Sequence, residues 1–279
     1  LWKRCQTVSR PGFNVFPVSM DRVLNPSAFL KLFQIIKSAH PDILHTHSSV
    51  DSWLASLIGM FLNIPIVRSR HISIPVKKFF PNHLIYSKFP KRIITSGDAI
   101  SEIIAGLPGM IRGKVVSIPA GADMKRFDFR VSGEAFRDEL NLNPDQPLVG
   151  KIGVIRGWKG HDYFLEAIPE ILEKFPEARF VIVGDGPGRE EVQGKARAKG
   201  LDKEIFFLGH REDVPRIMAG LNILVMASTA GEGAPQVIPQ AFAMKIPVVA
   251  TTIGSMPGLL EGGRSGILVE PRNGKSLAE

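Results

Sequence analysis

The sequence predicts an α/β protein with two parallel sheets, one in each half of the chain. Short apolar runs alternate with helical patterns from end to end, which is typical of parallel strands covered by helices on both faces. A stretch rich in proline and asparagine divides the chain into two such halves. No hairpin turn or short repeat competes with this interpretation.

In each half, apolar runs predict strands and amphipathic patterns predict helices. The first half has predicted strands at Ile43 to Thr46, Ile66 to Ser69, Arg92 to Thr95 and Val115 to Ile118, and predicted helices at Phe29 to Ser38, Val50 to Phe61 and Asp98 to Gly106. The second half has predicted strands at Leu148 to Val154, Phe180 to Val183, Ile205 to Leu208, Ile223 to Met226, Val248 to Ala250 and Gly266 to Val269, and predicted helices at His161 to Phe175, Arg189 to Lys199, Asp213 to Ala219 and Gln236 to Met244.

The boundary between the halves is marked by proline, glycine and asparagine. Pro119 to Asp123 opens this region, and a polar amphipathic stretch then ends at Asn141 to Pro147. We therefore expect a first domain over residues 1–130, a linker over 131–147 and a second domain over 148–279.

Composition narrows the class of protein. The 279 residues are 44% apolar and 22% charged, which fits a soluble globular protein, and no apolar run is long enough to span a membrane. The single cysteine, Cys5, excludes an intrachain disulfide and fits a reducing compartment. The net charge of +8 favours anionic partners such as nucleotide phosphates, an acidic glycolipid or membrane surface, or nucleic acid.

The two ends suggest an internal fragment. The chain begins at Leu1 and shows no signal peptide. After the turn signal Asn273-Gly274, Lys275 to Glu279 would open a helix that does not complete a second turn.

A small polar loop with one carboxylate follows the predicted strand Ile223 to Met226. Ser228 to Gln236 holds Glu232 between two glycines and runs into a helix. In open α/β sheets the carboxyl ends of strands border the ligand crevice, and free N–H groups at helix N-termini favour anions. The loop thus predicts recognition of a polyhydroxylated, phosphorylated ligand, although such a glutamate is also common as a solvated turn residue.

The run from Glu232 to Gln240 resembles the donor-sugar loop of the family 4 retaining glycosyltransferases. The family has Glu-Gly, a few small or apolar residues, and a second Glu eight positions after the first, where this chain has Gln240. The resemblance implies that Glu232 faces the donor sugar and Gln240 the ribose, where the amide keeps an acceptor but loses the charge. The neighbouring residues implied to bind the donor are Gly233, Ala234 and Pro235. Gly258 also stands where the family has an acid.

The boundary region resembles the same family's interdomain signature. Pro119 to Asp123, followed by Arg126-Phe127, matches except at Ala120 and Ala122. The resemblance implies the GT-B fold, in which two Rossmann-like parallel-sheet domains face a cleft. The first domain would lie on the acceptor side, and the second would bind the nucleotide-sugar. The family's first strand with its glycine-rich loop and its closing helices would be missing.

Two cations on a glycine-rich loop follow the first predicted strand of the second half. Arg156 and Lys159 lie beside a predicted helix N-terminus, where they can clamp a diphosphate and neutralise the charge that grows as its bond breaks. The stretch from Gly153 to Gly160 resembles the family's phosphate clamp, but Val154 occupies the usual arginine position. Arg156 must then supply that charge, and the alternative is a pair of surface cations.

Histidines and a serine end three predicted strands of the first half. His45 and His47 lie at alternate positions, a spacing that allows a zinc pair, although no third ligand accompanies them. The resemblance places His47 at the cleft, His71 near the donor and Ser96 facing the phosphates. A neutral-range imidazole such as His71 can donate a hydrogen bond or move a proton.

Two further strand ends carry weaker signals. Gly184 to Gly188 only superficially matches a dinucleotide fingerprint, and Pro187 fits it poorly, so a structural role or base-pocket lining is expected. Gly209-His210 resembles the family's strand end beside the nucleotide base, which makes Gly209 a donor-binding candidate.

Cations and aromatic residues interleave between Lys77 and Arg92. The members are Lys77, Lys78, Phe79, Phe80, His83, Tyr86, Lys88, Phe89, Lys91 and Arg92. Such a surface suits an anionic lipid or acidic glycan acceptor, while its apolar half could equally be core. No stacking platform or recognition motif supports nucleic-acid binding.

Together these features predict a retaining, metal-independent, hexosyl-type glycosyltransferase. We expect a nucleotide-diphosphate sugar donor, an anionic glycan or glycolipid acceptor, and a role in bacterial lipopolysaccharide, capsule or other cell-envelope assembly. The catalytic candidates are Arg156, Lys159, His71 and Glu232. No cofactor, metal or nucleic-acid partner is expected. The expected location is cytoplasmic, with possible peripheral contact at the inner face of the plasma membrane. A non-catalytic nucleotide-sugar-binding subunit and a GT-B nucleotide-sugar epimerase remain as alternatives, with a dinucleotide oxidoreductase behind them.

Overall fold

A computed structural model describes residues 14–20, 25–73, 75–76 and 80–279 of the chain. Cys5 and the basic-aromatic residues Lys77, Lys78 and Phe79 lie outside the described residues. Within them the chain divides into two compact units, one comprising most of the chain up to Ile118 and the other continuing to Glu279.

The first unit is built on a parallel sheet of four strands in the order β1-β2-β3-β4. The strands are β1 Leu44–Thr46, β2 Ile66–Arg70, β3 Arg92–Thr95 and β4 Val115–Ser117, and the helices are α1 Pro26–Ala39, α2 Ser49–Leu62, α3 Phe80–His83 and α4 Asp98–Ala105, with a π turn at Leu84–Lys88 and a 3₁₀ turn at Arg112–Lys114. Ser48 begins α2 with a capping box, since its hydroxyl accepts from the Asp51 N–H and the Asp51 carboxylate accepts from the Ser48 N–H.

The second unit is built on a parallel sheet of six strands in the order β10-β9-β8-β5-β6-β7. The strands are β5 Leu148–Ile152, β6 Arg179–Val183, β7 Ile205–Gly209, β8 Ile223–Met226, β9 Val248–Thr251 and β10 Ile267–Val269. The helices are α5 Glu134–Glu139, α6 His161–Lys174, α7 Arg189–Ala198, α8 Val214–Ala219, α9 Val237–Ala243, α10 Met256–Leu259 and α11 Gly274–Ala278, with 3₁₀ turns at Gly157–Lys159 and Glu261–Gly263.

Apolar clusters cover both faces of the six-stranded sheet. Leu148, Val181 and Leu224 contribute to one cluster, while Val149, Phe180 and Ile182 contribute to the other. Because successive side chains of a strand point to opposite faces, near-continuous apolar runs supply both cores. The expected α/β fold with two parallel sheets is confirmed.

The residues between the sheets do not form a free linker. Phe136 of α5 is 0% exposed and joins Leu140 and Leu142 in one apolar cluster of the second unit. Residues from Pro119 onward group with that unit, whereas the sequence predicted a linker over 131–147. The physical reason is that the polar stretch also carries an apolar stripe, and this stripe is buried.

The basic-aromatic stretch separates into two environments within its described part. Tyr86 is 2% exposed and Phe89 packs beside it in an apolar cluster, whereas Lys88, Lys91 and Arg92 are exposed. These two aromatic residues are therefore core, and the exposed part of the stretch is cationic.

We expect Phe136→Ala to destabilise the second unit by about 3 to 5 kcal/mol, because it removes a fully buried aromatic ring and leaves a cavity. Urea denaturation followed by circular dichroism measures this loss. The control is Phe175→Ala, which removes a ring that is 52% exposed and should have a much smaller effect. Equal stability of the two variants would contradict the packing of α5 into this core.

Candidate functional site

The strand order of the second unit brings two loops together. β5 lies between β8 and β6, so the chain runs outward from β5 in opposite directions along the sheet. The loops that follow β5 and β8 are adjacent at this switch point, which is where open α/β sheets bind ligands. The first loop carries Arg156 and Lys159, and the second carries Glu232.

Two of the predicted catalytic residues form an ion pair across these loops. Lys159 Nζ lies 2.6 Å from Glu232 Oε1, and the hydroxyl of Ser228 donates to the same oxygen at 2.5 Å. Glu232 is 5% exposed, so its carboxylate is held by a cation and a hydroxyl rather than by solvent. Glu232 is thus a buried carboxylate and not a solvated turn residue.

Glycines at fixed places allow this close packing. Gly160 has φ 65°, and a Cβ there would lie 1.8 Å from the carbonyl oxygen of Ala227 at the end of β8. Gly254 has φ 60°, and its Cβ would lie 2.1 Å from the carbonyl oxygen of Glu232. Both positions therefore require glycine, because the main chain of one loop touches that of the next.

Hydrogen bonds also join the two loops. The N–H of Thr229 donates to the Trp158 carbonyl at 2.8 Å. Arg156 is exposed, and its guanidinium lies 5.3 Å from the centre of the Trp158 ring. Lys159 is therefore held inside the site, while Arg156 remains at its surface, where it is able to reach a ligand.

Two further titratable side chains are buried beside the pair. Lys151 of β5 is 3% exposed and His161, the first residue of α6, is 4% exposed. Burial, with the charge of Lys159 next in importance, lowers the pKa of Lys151 to about 7. Burial and the nearby lysines lower the pKa of His161 to about 3, so this imidazole is neutral at pH 7.

The remaining predicted donor residues of the Glu232 loop continue into α9. Gly233 is buried and its carbonyl accepts from the Ser255 N–H at 3.3 Å, while Ala234 and Pro235 are half-buried. Gln240 is the central residue of α9 and is also half-buried. The four residues thus follow the Lys159–Glu232 pair along one continuous segment.

The glycines that end β5, β6 and β7 pack against each other. Gly153 donates to the Val183 carbonyl at 2.8 Å, and Gly184 donates to the carbonyl of Gly209, also at 2.8 Å. A Cβ on Gly184 would lie 1.9 Å from the Gly153 carbonyl oxygen, and one on Gly186 would lie 2.3 Å from that of Ile155. The Gly184 loop therefore has the structural role that the sequence suggested.

The histidines of the first unit form a second cluster. His47 Nδ1 lies 2.9 Å from His71 Nε2, and their rings stack with an interplanar angle of 3°. His45 Nε2 lies 2.8 Å from Ser69 Oγ, and its ring centre is 4.3 Å from that of His47. Burial, with neighbouring histidines as the next cause, lowers the pKa of His45 and of His71.

Ser96 follows β3 in the first unit. Its N–H donates to the Arg70 carbonyl at 3.2 Å, while its buried hydroxyl has no hydrogen-bond partner within the described ranges. The structure therefore brings this predicted residue to the end of β3 but shows no contact that assigns its hydroxyl a role.

The described residues contain neither a metal-binding cluster nor a helix suited to span a membrane. No group of three or more histidine, cysteine, aspartate or glutamate side chains is arranged to hold a metal ion there. Within the same ranges, no helix has both the length and the apolar character needed to cross a bilayer.

Sequence reasoning missed several members of the site. Lys151 carried a signal, because a lysine inside the apolar run Leu148–Ile152 of a doubly covered sheet must be buried. The contact of His71 with His47 was not predicted, and it arises because the parallel neighbouring strands β1 and β2 end side by side. Ser228 and His161 gave no comparable signal, since both contacts depend on loop geometry.

We expect Gly160→Ala to destabilise the second unit by at least about 1 to 2 kcal/mol, the cost of a left-handed conformation for a residue with a Cβ. The contact with the Ala227 carbonyl adds to this cost. Gly157→Ala is the matched control, because nothing lies within 4 Å of its Cβ, and it should change stability by less than about 0.5 kcal/mol. Urea denaturation compares the two, and similar stabilities would argue against the close approach of the loops.

The lowered pKa values in the histidine cluster predict that the free energy of unfolding decreases as the pH is lowered. His45 and His71 bind protons less readily in the folded chain than in the unfolded chain, so the free energy of unfolding decreases as the pH falls below about 6.5. Urea denaturation between pH 7.5 and 5.5 measures this slope. His71→Gln should make the slope shallower, although the contribution of His161, whose pKa is also lowered, remains. The control His210→Gln lies outside the cluster and should keep the wild-type slope; an unchanged slope in His71→Gln would refute the assignment.

Two family models match the chain. Residues 3–126 match the model described as Glycosyltransferase Family 4, and residues 146–279 match the model described as Glycosyl transferases group 1. Each match covers one of the two sheets, and together they span nearly the whole chain.

Individual relatives agree with the family models. The Escherichia coli protein UDP-Gal:alpha-D-GlcNAc-diphosphoundecaprenol alpha-1,3-galactosyltransferase is 26% identical over 265 residues, which cover 90% of this chain and 68% of the relative. A glycosyltransferase from Rickettsia africae has a TM-score of 0.84 at 22% identity and is covered over 72% of its length by 95% of this chain. The Anabaena protein HepE, solved in complex with UDP, has a TM-score of 0.80 at 22% identity. The match covers 90% of this chain and 70% of HepE.

These structures confirm the expected GT-B fold, and the relatives' names agree with the expected enzyme class. The sequence motifs, the two parallel sheets and the two family models lead to one conclusion: the chain belongs to the family 4, or group 1, glycosyltransferases.

Proposed function

We propose that this protein transfers a sugar, with retention of configuration and without a metal, from a nucleotide-diphosphate donor to a glycan or glycolipid acceptor. The observation that carries the proposal is the buried Lys159–Glu232 pair at the switch point of the second sheet. The cation can bind a diphosphate, and the carboxylate can accept hydrogen bonds from sugar hydroxyls. The pair can therefore contact the groups on both sides of the bond that breaks.

In the proposed reaction, the bond between the sugar's anomeric carbon and the diphosphate oxygen breaks. The acceptor oxygen bonds to the same carbon on the same face, and its proton passes to the departing diphosphate. Lys159 and Arg156 stabilise the negative charge that develops on the leaving group. Because the two side chains supply positive charge themselves, the step needs no metal.

The other predicted residues bind and orient the donor in this proposal. Glu232 accepts hydrogen bonds from sugar hydroxyls, and Gln240 holds the ribose. Gly153, Gly209 and the segment after Glu232 border the nucleotide with main-chain groups. The roles of His47, His71 and Ser96 rest on the family resemblance, with His71 assisting near the reacting centre.

The names of the relatives support a uridine nucleotide as the donor carrier. The Escherichia coli relative is named for UDP-galactose, and the Anabaena structure contains UDP. We therefore propose a UDP-sugar as the first donor to test, with the sugar itself left open.

An acceptor of the cell envelope fits the charge and the relatives. The acceptor named for the Escherichia coli relative is a sugar linked through a diphosphate to undecaprenol, which is an anionic glycolipid. The net charge of +8 and the exposed Lys88, Lys91 and Arg92 suit an anionic acceptor. We propose a role in lipopolysaccharide, capsule or related assembly at the cytoplasmic face of a bacterial plasma membrane.

We expect Lys159→Ala to lower turnover by roughly 2 to 4 kcal/mol in activation free energy, because electrostatic stabilisation of the leaving group is lost. Arg156→Ala should also lower turnover, and its exposed side chain makes a folding defect improbable as the cause. Release of UDP from UDP-sugars, with and without EDTA, measures both effects. Lys199→Ala is the control, since this lysine is exposed at the end of α7. Wild-type kinetics in both site variants would contradict the role of Lys159 and Arg156 in stabilising the leaving group.

A thermal-shift titration with UDP, GDP, ADP and NAD precedes the kinetics, since a ligand that binds the native state raises its apparent stability. A shift with one nucleoside diphosphate supports the proposal and names the donor class. Binding without turnover would favour the non-catalytic subunit that Gln240 and Gly258 suggest. A shift with NAD alone would contradict the transferase.

A further inference from the structure

Positive charge exceeds negative charge at the switch point of the second sheet. Two lysines, Lys151 and Lys159, share the single carboxylate of Glu232. Lys159 is within ion-pair distance of that carboxylate, whereas no carboxylate of the described residues is within that distance of Lys151. Lys151 is therefore a buried amine whose counter-charge is already engaged by another cation.

Among the described residues, the surroundings of Lys151 supply no other negative charge to balance it. Val149 and Lys151 lie on the sheet face covered by α6, where the cluster around Val149 is apolar. In the adjacent strands, Ile182 pairs in register with Lys151, and Met226 lines the same small cavity. The charged or titratable groups that face it are Lys159 from the loop, His161 from α6 and Glu232 from the loop after β8.

A small cavity connects these groups. It has a volume of about 10 Å³, and Lys151, Lys159 and His161 lie among its lining residues. That volume is at the lower edge of what one water molecule needs. His161 Nδ1 is buried and has no hydrogen-bond partner within the described part of the chain. The site thus holds a buried ring nitrogen that no described residue satisfies.

We infer that Lys151 is a positioning residue that takes up a proton from solvent when a diphosphate binds at Lys159, and then serves as the counter-cation of Glu232. This inference rests on the proposed function of the same site. The inference adds Lys151 to the two cations that the sequence indicated, Arg156 and Lys159. Lys151 would pair with the Glu232 carboxylate, and not with the phosphate.

Binding of a diphosphate changes the pKa of Lys151 in one direction. In the free protein, burial and the positive charge of Lys159 lower the pKa of Lys151 to about 7, and the charge of Glu232 opposes this. A bound diphosphate neutralises the charge of Lys159 and adds negative charge nearby, so both changes raise the pKa of Lys151. Above about pH 7 the amine is largely neutral before binding and charged after it, and proton uptake accompanies binding.

Calorimetry with UDP tests this inference. Binding heats measured at pH 8 in HEPES and in Tris, which differ in ionisation enthalpy, give the number of protons exchanged. The terminal phosphate of UDP is ionised at this pH, since such groups have a pKa near 6. We expect wild type to take up between about half a proton and one proton. Lys151→Met should take up almost none, and the exposed control Lys199→Met should behave as wild type.

A second measurement can be decided on wild type alone. In wild type, the Kd for UDP should rise by up to about tenfold per pH unit as the pH increases from 7.5 to 8.5, because binding then requires a proton. Lys151→Met should show a nearly flat profile over the same range. If this variant unfolds, Lys151→Gln replaces it, and the wild-type profile still decides.

The outcomes separate this inference from the proposed function. UDP binding without proton uptake, or with equal uptake in Lys151→Met, overturns the inference and leaves the proposed function intact. Failure of both UDP and inorganic pyrophosphate to bind overturns both. If pyrophosphate binds and UDP does not, the proposal of a nucleotide donor is refuted. The proton uptake measured on pyrophosphate binding then decides the role of Lys151.

Discussion

The ion pair between Lys159 and Glu232 is the contact on which the site of the second unit depends. It joins the loops after β5 and β8, which meet because the strand order reverses direction between them. A carboxylate this deeply buried is stable only with a partner, and removing that partner would leave an uncompensated charge. The pair therefore fixes both loops, and the glycines that permit their contact are part of the same constraint.

The pair also determines which groups a ligand needs in order to bind at this site. Each member is the other's partner. Under the proposed function, the donor's diphosphate competes with Glu232 for Lys159, and the donor's hydroxyls compete with Lys159 for Glu232. In a low-dielectric pocket such competition discriminates strongly, because a ligand with only one of the two groups leaves the other partner unsatisfied. A nucleotide-sugar carries both groups, and this is the sense in which the geometry favours it.

Sequence patterns predicted the order of strands and helices, because the spacing of apolar residues and the glycines in turns are local properties of the chain. The strand Ile223–Met226 was predicted with its observed bounds, and Lys159 and Glu232 were selected individually from their loops. Their mutual contact could not be predicted, since it depends on β5 and β8 pairing across a long sequence separation. Phe136 was similarly misplaced in a linker, because a short amphipathic stretch does not show which core it joins. The roles of Gln240, Ser96 and the histidines as donor contacts stay predictions.

The hydrogen bond between Thr229 and Trp158 couples the loop after β5 to the loop after β8. Neither loop can move without breaking this bond or displacing the ion pair beside it. Substitutions in the two loops should consequently show epistasis, with combined effects that differ from the sum of the single ones. A change of donor preference during evolution would then proceed through compensating pairs of substitutions, one in each loop, rather than through isolated replacements.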